Sequence, residues 1–176
     1  MGQQKAIRVL VAFGSNLGNR ADHILTAWRR LDENPSVRTI RISRFINTRP
    51  TGGPDDQPDF LNAAGVLETT LDPFDLHQVL QSIERMGGRE RHQFWGARTI
   101  DLDLILFGSE VVHTPHLTIP HPRMAWRPFV LLPASEVAPD MIHPVFDLTV
   151  QQLSDLARMN FRLALWQCND YLFKCS

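Results

Sequence analysis

The run Arg98-Thr99-Ile100-Asp101-Leu102-Asp103-Leu104-Ile105-Leu106-Phe107 constrains this chain more than any other stretch, because it alternates. Successive side chains on a strand point to opposite faces, so Ile100, Leu102, Leu104 and Leu106 are expected on one face and Thr99, Asp101 and Asp103 on the other. One face is then core and the other carries two neighbouring carboxylates. At strand rise these stand roughly 6–7 Å apart, where like charges repel by roughly 2–3 kcal/mol at an effective dielectric of about 20. Such a pair calls for a cation, and magnesium is usually held by one or two hard carboxylates beside a polyphosphate. Taken alone, Asp-x-Asp is more often the polar side of a half-exposed strand, so its neighbours decide.

Upstream lies Gly87-Gly88-Arg89-Glu90-Arg91-His92-Gln93-Phe94-Trp95-Gly96-Ala97-Arg98, a glycine-flanked loop that mixes guanidinium groups with aromatic rings. Downstream lies Leu117-Thr118-Ile119-Pro120-His121-Pro122-Arg123-Met124, with Arg127 and Phe129 close behind. Carboxylates for metal, arginines for phosphate and rings for a flat heterocycle together point to a nucleotide site.

The rest of the chain frames that strand. Ile7 to Phe13 reads as a buried strand, and Gly14-Ser15-Asn16-Leu17-Gly18-Asn19 as a structural turn, lacking the lysine of a P-loop. Ile24, Leu25, Trp28 and Leu31 have helical spacing up to Asn34-Pro35. Val37 to Thr48 reads as one strand whose apolar phase slips near Arg44-Phe45. Residues 49–58 form a proline- and glycine-rich loop, with a lid or a plain connector equally open. Phe60 to Thr69 is a further strand with Asn62 on the face of Phe60, Ala64 and Val66. Pro73 opens a helix presenting Leu76, Val79, Leu80 and Ile83 and ending at Gly87-Gly88. Thr149 with Gln152 forms a capping box before a last helix carrying Leu153, Leu156 and Ala157. The order strand, helix, strand, strand, helix, strand predicts an α+β, ferredoxin-like βαββαβ core: an antiparallel sheet with helices on one face, followed by a C-terminal helical extension.

With 176 residues and 43% hydrophobic content the chain suits one domain, placed at 1–160, leaving 161–176 unassigned. A formal charge of -1 argues against a general nucleic-acid or anionic-membrane surface. The chain lacks an apolar run of spanning length and a recognisable leader, so a cytoplasmic location is expected. Cys168 and Cys175 read as free thiols.

Four ordered blocks carry a resemblance. Trp95-Gly96-Ala97-Arg98-Thr99-Ile100-Asp101-Leu102-Asp103 followed by Ile119-Pro120-His121-Pro122-Arg123-Met124 resembles the signature of the 6-hydroxymethyl-7,8-dihydropterin pyrophosphokinases of folate biosynthesis. Phe13-Gly14-Ser15-Asn16-Leu17-Gly18-Asn19 and Gln57-Pro58-Asp59-Phe60-Leu61-Asn62-Ala63 are similar to two further blocks of that family. The resemblance implies transfer of the pyrophosphoryl group of ATP to the hydroxymethyl oxygen of the pterin, releasing AMP. It implies two magnesium ions on Asp101 and Asp103, and catalytic Arg89 and Arg98. ATP would meet Gln81, Glu84, Arg91, Trp95, Arg98, Leu104, Thr118, His121 and Arg127, and the pterin Thr48, Phe60, Asn62, Trp95 and Phe129. A monomer binding no nucleic acid and no membrane is expected. Departures from the family's pattern are Phe60 in place of a frequent tyrosine, His116 in place of an arginine, Thr51 and Gly53 in the first loop, and a loop at 89–95 shorter by one residue than in some relatives.

Two rivals make different predictions. A metal-dependent phosphohydrolase or simple kinase on the same strand would release phosphate or ADP, and a ferredoxin-like nucleic-acid-binding module would expose aromatics on its sheet.

Overall fold

The computed structural model describes residues 5–50, 57–88 and 98–159. Arg89, Arg91 and Trp95, the loop positions Thr51 and Gly53, and both cysteines lie outside the described residues. The apolar runs become strands β1 (Ile7–Ser15), β2 (Val37–Ile42), β3 (Ile46–Thr48), β4 (Phe60–Thr69) and β5 (Asp101–Phe107). They form one sheet in the order β2-β4-β1-β5, with β3 also paired to β4, and every pairing is antiparallel. Strands β1 and β2 run parallel to each other with β4 between them, which is the split β-α-β arrangement of a ferredoxin-like core. The expected single strand at 37–48 is instead two. Ser43 leaves the strand path, its N–H donating to Ala64 O (2.8 Å) while its hydroxyl accepts from Ala64 N (3.0 Å), so the break comes just before the phase slip.

Local chemistry sets the helix ends. Helix α1 (Arg20–Asp32) begins at Asn19, whose side chain accepts from Asp22 N, after Gly18 at φ +60°. Helix α2 (Pro73–Met86) begins at Asp72, which accepts from Phe74 N and Asp75 N, with Pro73 at its first position. Both pack on one face of the sheet: Ile24, Ala27 and Leu31 of α1 and Leu76, Leu80 and Ile83 of α2 meet Val9, Val11, Phe13, Leu102 and Leu104. Trp28 lies edge-on to Phe13 over Gly65, where a methyl group would fall 2.4 Å from the indole.

The other face is covered at one end. Helix α3 (Pro128–Val137) and a helix at 150–159, here α4, pack Val130, Leu131, Ala134, Val150 and Leu153 onto Leu10, Ala64, Val66 and Leu106. The capping box at the start of α4 is formed in both directions, Thr149 N to Gln152 Oε1 (2.8 Å) and Gln152 N to Thr149 Oγ1 (3.1 Å). Leu153 is buried and Ala157 half-buried as expected, but Leu156 is exposed, and Val150 and Ser154 are buried with Leu153.

The alternation of β5 holds only as far as Leu104. Leu10 pairs with Leu106 and Val11 with Leu104, so Ile105 is an extra residue, a bulge. Beyond it the phase inverts: Leu106 joins the α3 side and Phe107 the α1–α2 side. A strict period of two cannot show a bulge made entirely of large apolar residues.

Candidate active site

The end of the second face that no helix among the described residues covers collects the polar residues. Gly14 of β1 pairs with Asn62 of β4 on one side and with Asp101 of β5 on the other, and Ala12 pairs likewise with Ala64 and Asp103. The row Asn62, Gly14, Asp101 therefore has a side chain at each end and none in the middle. Across two strand spacings, about 10 Å, it leaves a shallow floor. Asn62 Nδ2 donates to Thr48 Oγ1 (2.7 Å), while its Oδ1 lies 3.4 Å from where a Gly14 methyl would stand, which aims the amide oxygen at the floor.

Two arginines answer the carboxylates. Arg98 Nη1 bonds Asp101 Oδ2 at 2.6 Å, and its guanidinium carbon stands 5.9 Å from the Phe60 ring centre. Burial lowers the Arg127 pKa from its ordinary value; Asp103 opposes this most, then Asp101, while Arg123 and Arg98 add to it. Arg127 also lies 5.6 Å from the Phe129 ring centre. The repulsion expected between Asp101 and Asp103 is thus offset by the protein's own cations.

The bulge in β5 positions the next group. Ile105 O, turned out at the strand edge, accepts from His121 N (2.9 Å) and anchors the loop that follows the short strand β6 (Thr118–Ile119). Burial, with Arg127 and Arg123 close by, lowers the His121 pKa from 6.5 to about 4. The ring is neutral at pH 7, and its Nδ1 accepts from Arg123 N (3.1 Å), so the proton resides on Nε2. His121 therefore offers a neutral N–H donor.

Along the outer edge of β5 runs a cleft of about 270 Å³ lined by Asp103, Leu104, Thr118, His121, His116 and His77. Gln81 reaches it through His77, to which its Nε2 lies 2.9 Å from Nε2. Leu104 has its side chain in the core. Its N–H points the same way as that of Leu102, two residues earlier, away from β1. Glu84 is buried in α2 and accepts from Leu102 N (2.8 Å), so this carboxylate fastens β5 to the helix.

Of the site residues expected from sequence, Thr48, Phe60 and Asn62 gather with Arg98 and Asp101 around Gly14, while Leu104, Thr118 and His121 share the cleft with Asp103. Sequence reasoning missed Gly14, His77 and Asn16. His77 stands one helical turn before Gln81, which was a usable signal; a glycine and an asparagine in a turn carry none beyond the matched block. Among the described residues no group of three or more His, Cys, Asp or Glu gathers as a metal cage. Magnesium does not require one: two hard, partly exposed carboxylates on one strand face fit an ion that takes its remaining oxygens from water and phosphate.

Comparison with known proteins agrees with this geometry. A family model described as 7,8-dihydro-6-hydroxymethylpterin-pyrophosphokinase matches residues 10–139. The chain is 36% identical over 151 residues to the 2-amino-4-hydroxy-6-hydroxymethyldihydropteridine pyrophosphokinase of Haemophilus influenzae, covering 86% of this chain and 94% of that one. It is 42% identical over 137 residues to the enzyme of the same name from Pseudomonas aeruginosa, covering 78% and 84%. Among solved structures it is similar to a Plasmodium falciparum HPPK-DHPS with STZ-DHP, with TM-score 0.70 at 16% identity, covering 92% of this chain and 45% of that one. An HPPK-DHPS in complex with substrates gives TM-score 0.68 at 15% identity, covering 89% and 44%. The chain thus spans less than half the length of these solved chains, and at such identity the likeness concerns the fold.

Proposed function

Because the chain belongs to the 7,8-dihydro-6-hydroxymethylpterin-pyrophosphokinase family and so transfers the pyrophosphoryl group of ATP to 6-hydroxymethyl-7,8-dihydropterin in folate biosynthesis, we propose how its residues divide that task. The pterin lies on the floor at Gly14. Its amide edge meets Asn62, and its ring faces Phe60 and Phe129, with Thr48 beside Asn62; Trp95 is assigned to the pterin by resemblance alone. ATP occupies the cleft along β5, where the Leu104 N–H offers a backbone donor to the base and Thr118, Gln81 and Glu84 lie nearby.

The hydroxymethyl oxygen attacks the β-phosphorus and loses its proton to solvent while the bond from that phosphorus to the α–β bridging oxygen breaks, and AMP leaves carrying that oxygen. Such a transfer asks a protein mainly to hold reactants in line and to neutralise charge. Two magnesium ions on Asp101 and Asp103 would supply the charge neutralisation between the phosphates. Arg98 releases Asp101 and follows the charge that gathers on the departing bridging oxygen, and Arg127 holds phosphate beside the neutral Nε2–H of His121. Arg89 and Arg91 join them by resemblance alone. We further propose that the protein acts as a monomer in the cytoplasm.

One observation carries this reading: Asp101 and Asp103 share one face of an edge strand, with the aromatic-lined floor on one side and the cleft on the other. The test is nucleotide analysis after mixing protein with magnesium-ATP, with and without the pterin. AMP formed only with pterin supports it; ADP, or turnover without pterin, overturns it.

A further inference from the structure

Asn16 follows directly on β1, is 2% exposed, and bonds two segments that sequence places far from it. Its own N–H donates to Arg98 O (3.1 Å), and its Oδ1 accepts from Arg98 N (2.7 Å). Both backbone polar groups of Arg98 are therefore taken by a single residue, three positions before β5 begins. The remaining donor, Nδ2, lies 3.4 Å from both Gln57 Oε1 and Pro58 O, in the stretch leading into β4. The Arg98 arm is short and the 57–58 arm is at the long limit of a hydrogen bond, so the first fixes position and the second adds a looser tie.

Arg98 has much to lose from a slack backbone. Its side chain must span from this anchor to Asp101 while lying over Phe60, and a shift of about 1 Å in a catalytic group can cost roughly 100-fold in rate. Aspartate would keep the acceptor for Arg98 N but lose the donor to 57–58, whereas alanine loses both. The block containing Asn16 is thus more than a turn.

We propose that Asn16 is a positioning residue that acts through Arg98, setting the guanidinium for the transferred charge. This rests on the role given to Arg98 above. The test is a double-mutant cycle on pterin-dependent AMP formation by the full chain, with Asn16→Ala, Arg98→Ala and the double variant, thermal unfolding being followed for each. Asn16→Ala should lower kcat about 10- to 100-fold with the ATP KM within about 3-fold, and should cost about 2-fold or less in the Arg98→Ala background. Asn16→Asp should recover a large part of the lost kcat, as a purely packing role would not. Equal losses in both backgrounds, or a loss confined to KM, overturn the proposal. Should Asn16→Ala not fold, the same cycle run with Asn16→Ser decides by the same criteria. A wild-type protein that forms no AMP would instead defeat the role of Arg98 itself, so the two failures are distinguishable.

Discussion

Arg98 Nη1 and Asp101 Oδ2 stand 2.6 Å apart, with each side chain 22% exposed. On the roles proposed above, the pair would join a catalytic cation to a metal-binding carboxylate. Substrate binding must separate them, so Arg98 contributes little to ground-state affinity and more to the charge that develops later. Arg98→Ala should lower kcat by about 100- to 1,000-fold while the nucleotide dissociation constant changes by less than about 3-fold. Rapid-quench turnover set beside calorimetric binding checks this; an equal change in both would make Arg98 a binding residue only.

At its own register Asp103 pairs with Ala12, and its charge is the largest of those that hold the Arg127 pKa up against burial. Removing its carboxylate relieves repulsion with Asp101 and leaves the core untouched. Because the same change also removes the charge that most favours the part-buried Arg127 cation, Asp103→Ala is expected to fold and to unfold close to the wild-type temperature, yet to lose turnover at limiting magnesium. A magnesium titration of AMP formation, run beside thermal unfolding, tests this.

His121 gives a pH signature with a defined sign. Its folded pKa of about 4 lies below the ordinary 6.5, so the unfolded chain binds the extra proton first as pH falls. The contribution to stability is complete above pH 6.5 and is lost as pH falls toward 4, on the order of 1–3 kcal/mol for a partly exposed ring. A polyphosphate beside Nε2 should raise this pKa, so ATP binding near pH 5.5 should take up protons. Calorimetry in buffers of different ionisation heat measures the uptake, and subtracting the His121→Asn variant removes the titration of the nucleotide itself.

Glu84 shows why a role and a position are separate questions. The family resemblance points it at ATP, whereas its carboxylate accepts from Leu102 N, one residue from each of Asp101 and Asp103, the aspartates proposed to hold metal. Glu84→Ala would leave a buried N–H unsatisfied at a cost of about 1–3 kcal/mol. A fall in unfolding temperature with a higher magnesium requirement is expected, and Glu84→Gln, which keeps an acceptor, should restore most of the stability.

The parts of the molecule legible in sequence were those with a period or a cap. Helix α2 announced itself through Pro73 and Gly87, α4 through the Thr149–Gln152 box, and the carboxylate face of β5 through alternation. The bulge at Ile105 was not legible, because Leu104, Ile105, Leu106 and Phe107 are all large and apolar, so neither register looks wrong until β1 is beside it. The break at Ser43 was hidden for a similar reason: the hydroxyl there substitutes for a strand bond, and β-branched residues continue on both sides. Asn16 was invisible as a clamp because its partners are about 40 and 80 residues away, and such contacts follow from topology rather than from spacing.

Gly14 supplies a test of the floor itself. Its missing side chain separates Asn62 from Asp101, and an added methyl would lie 3.4 Å from Asn62 Oδ1, 3.7 Å from Phe60 Cδ1 and 3.8 Å from Asp101 Cβ. Those are ordinary contacts, so Gly14→Ala should fold with its unfolding temperature nearly unchanged. The methyl would nonetheless fill the level at which a flat ring must rest to face Asn62. The pterin KM should rise by about 10-fold or more, a loss of roughly 1.4 kcal/mol or more, while the ATP KM stays within about 2-fold because the cleft lies beyond β5. Steady-state kinetics with each substrate varied in turn decides it, and an unchanged pterin KM would move the pterin off this floor.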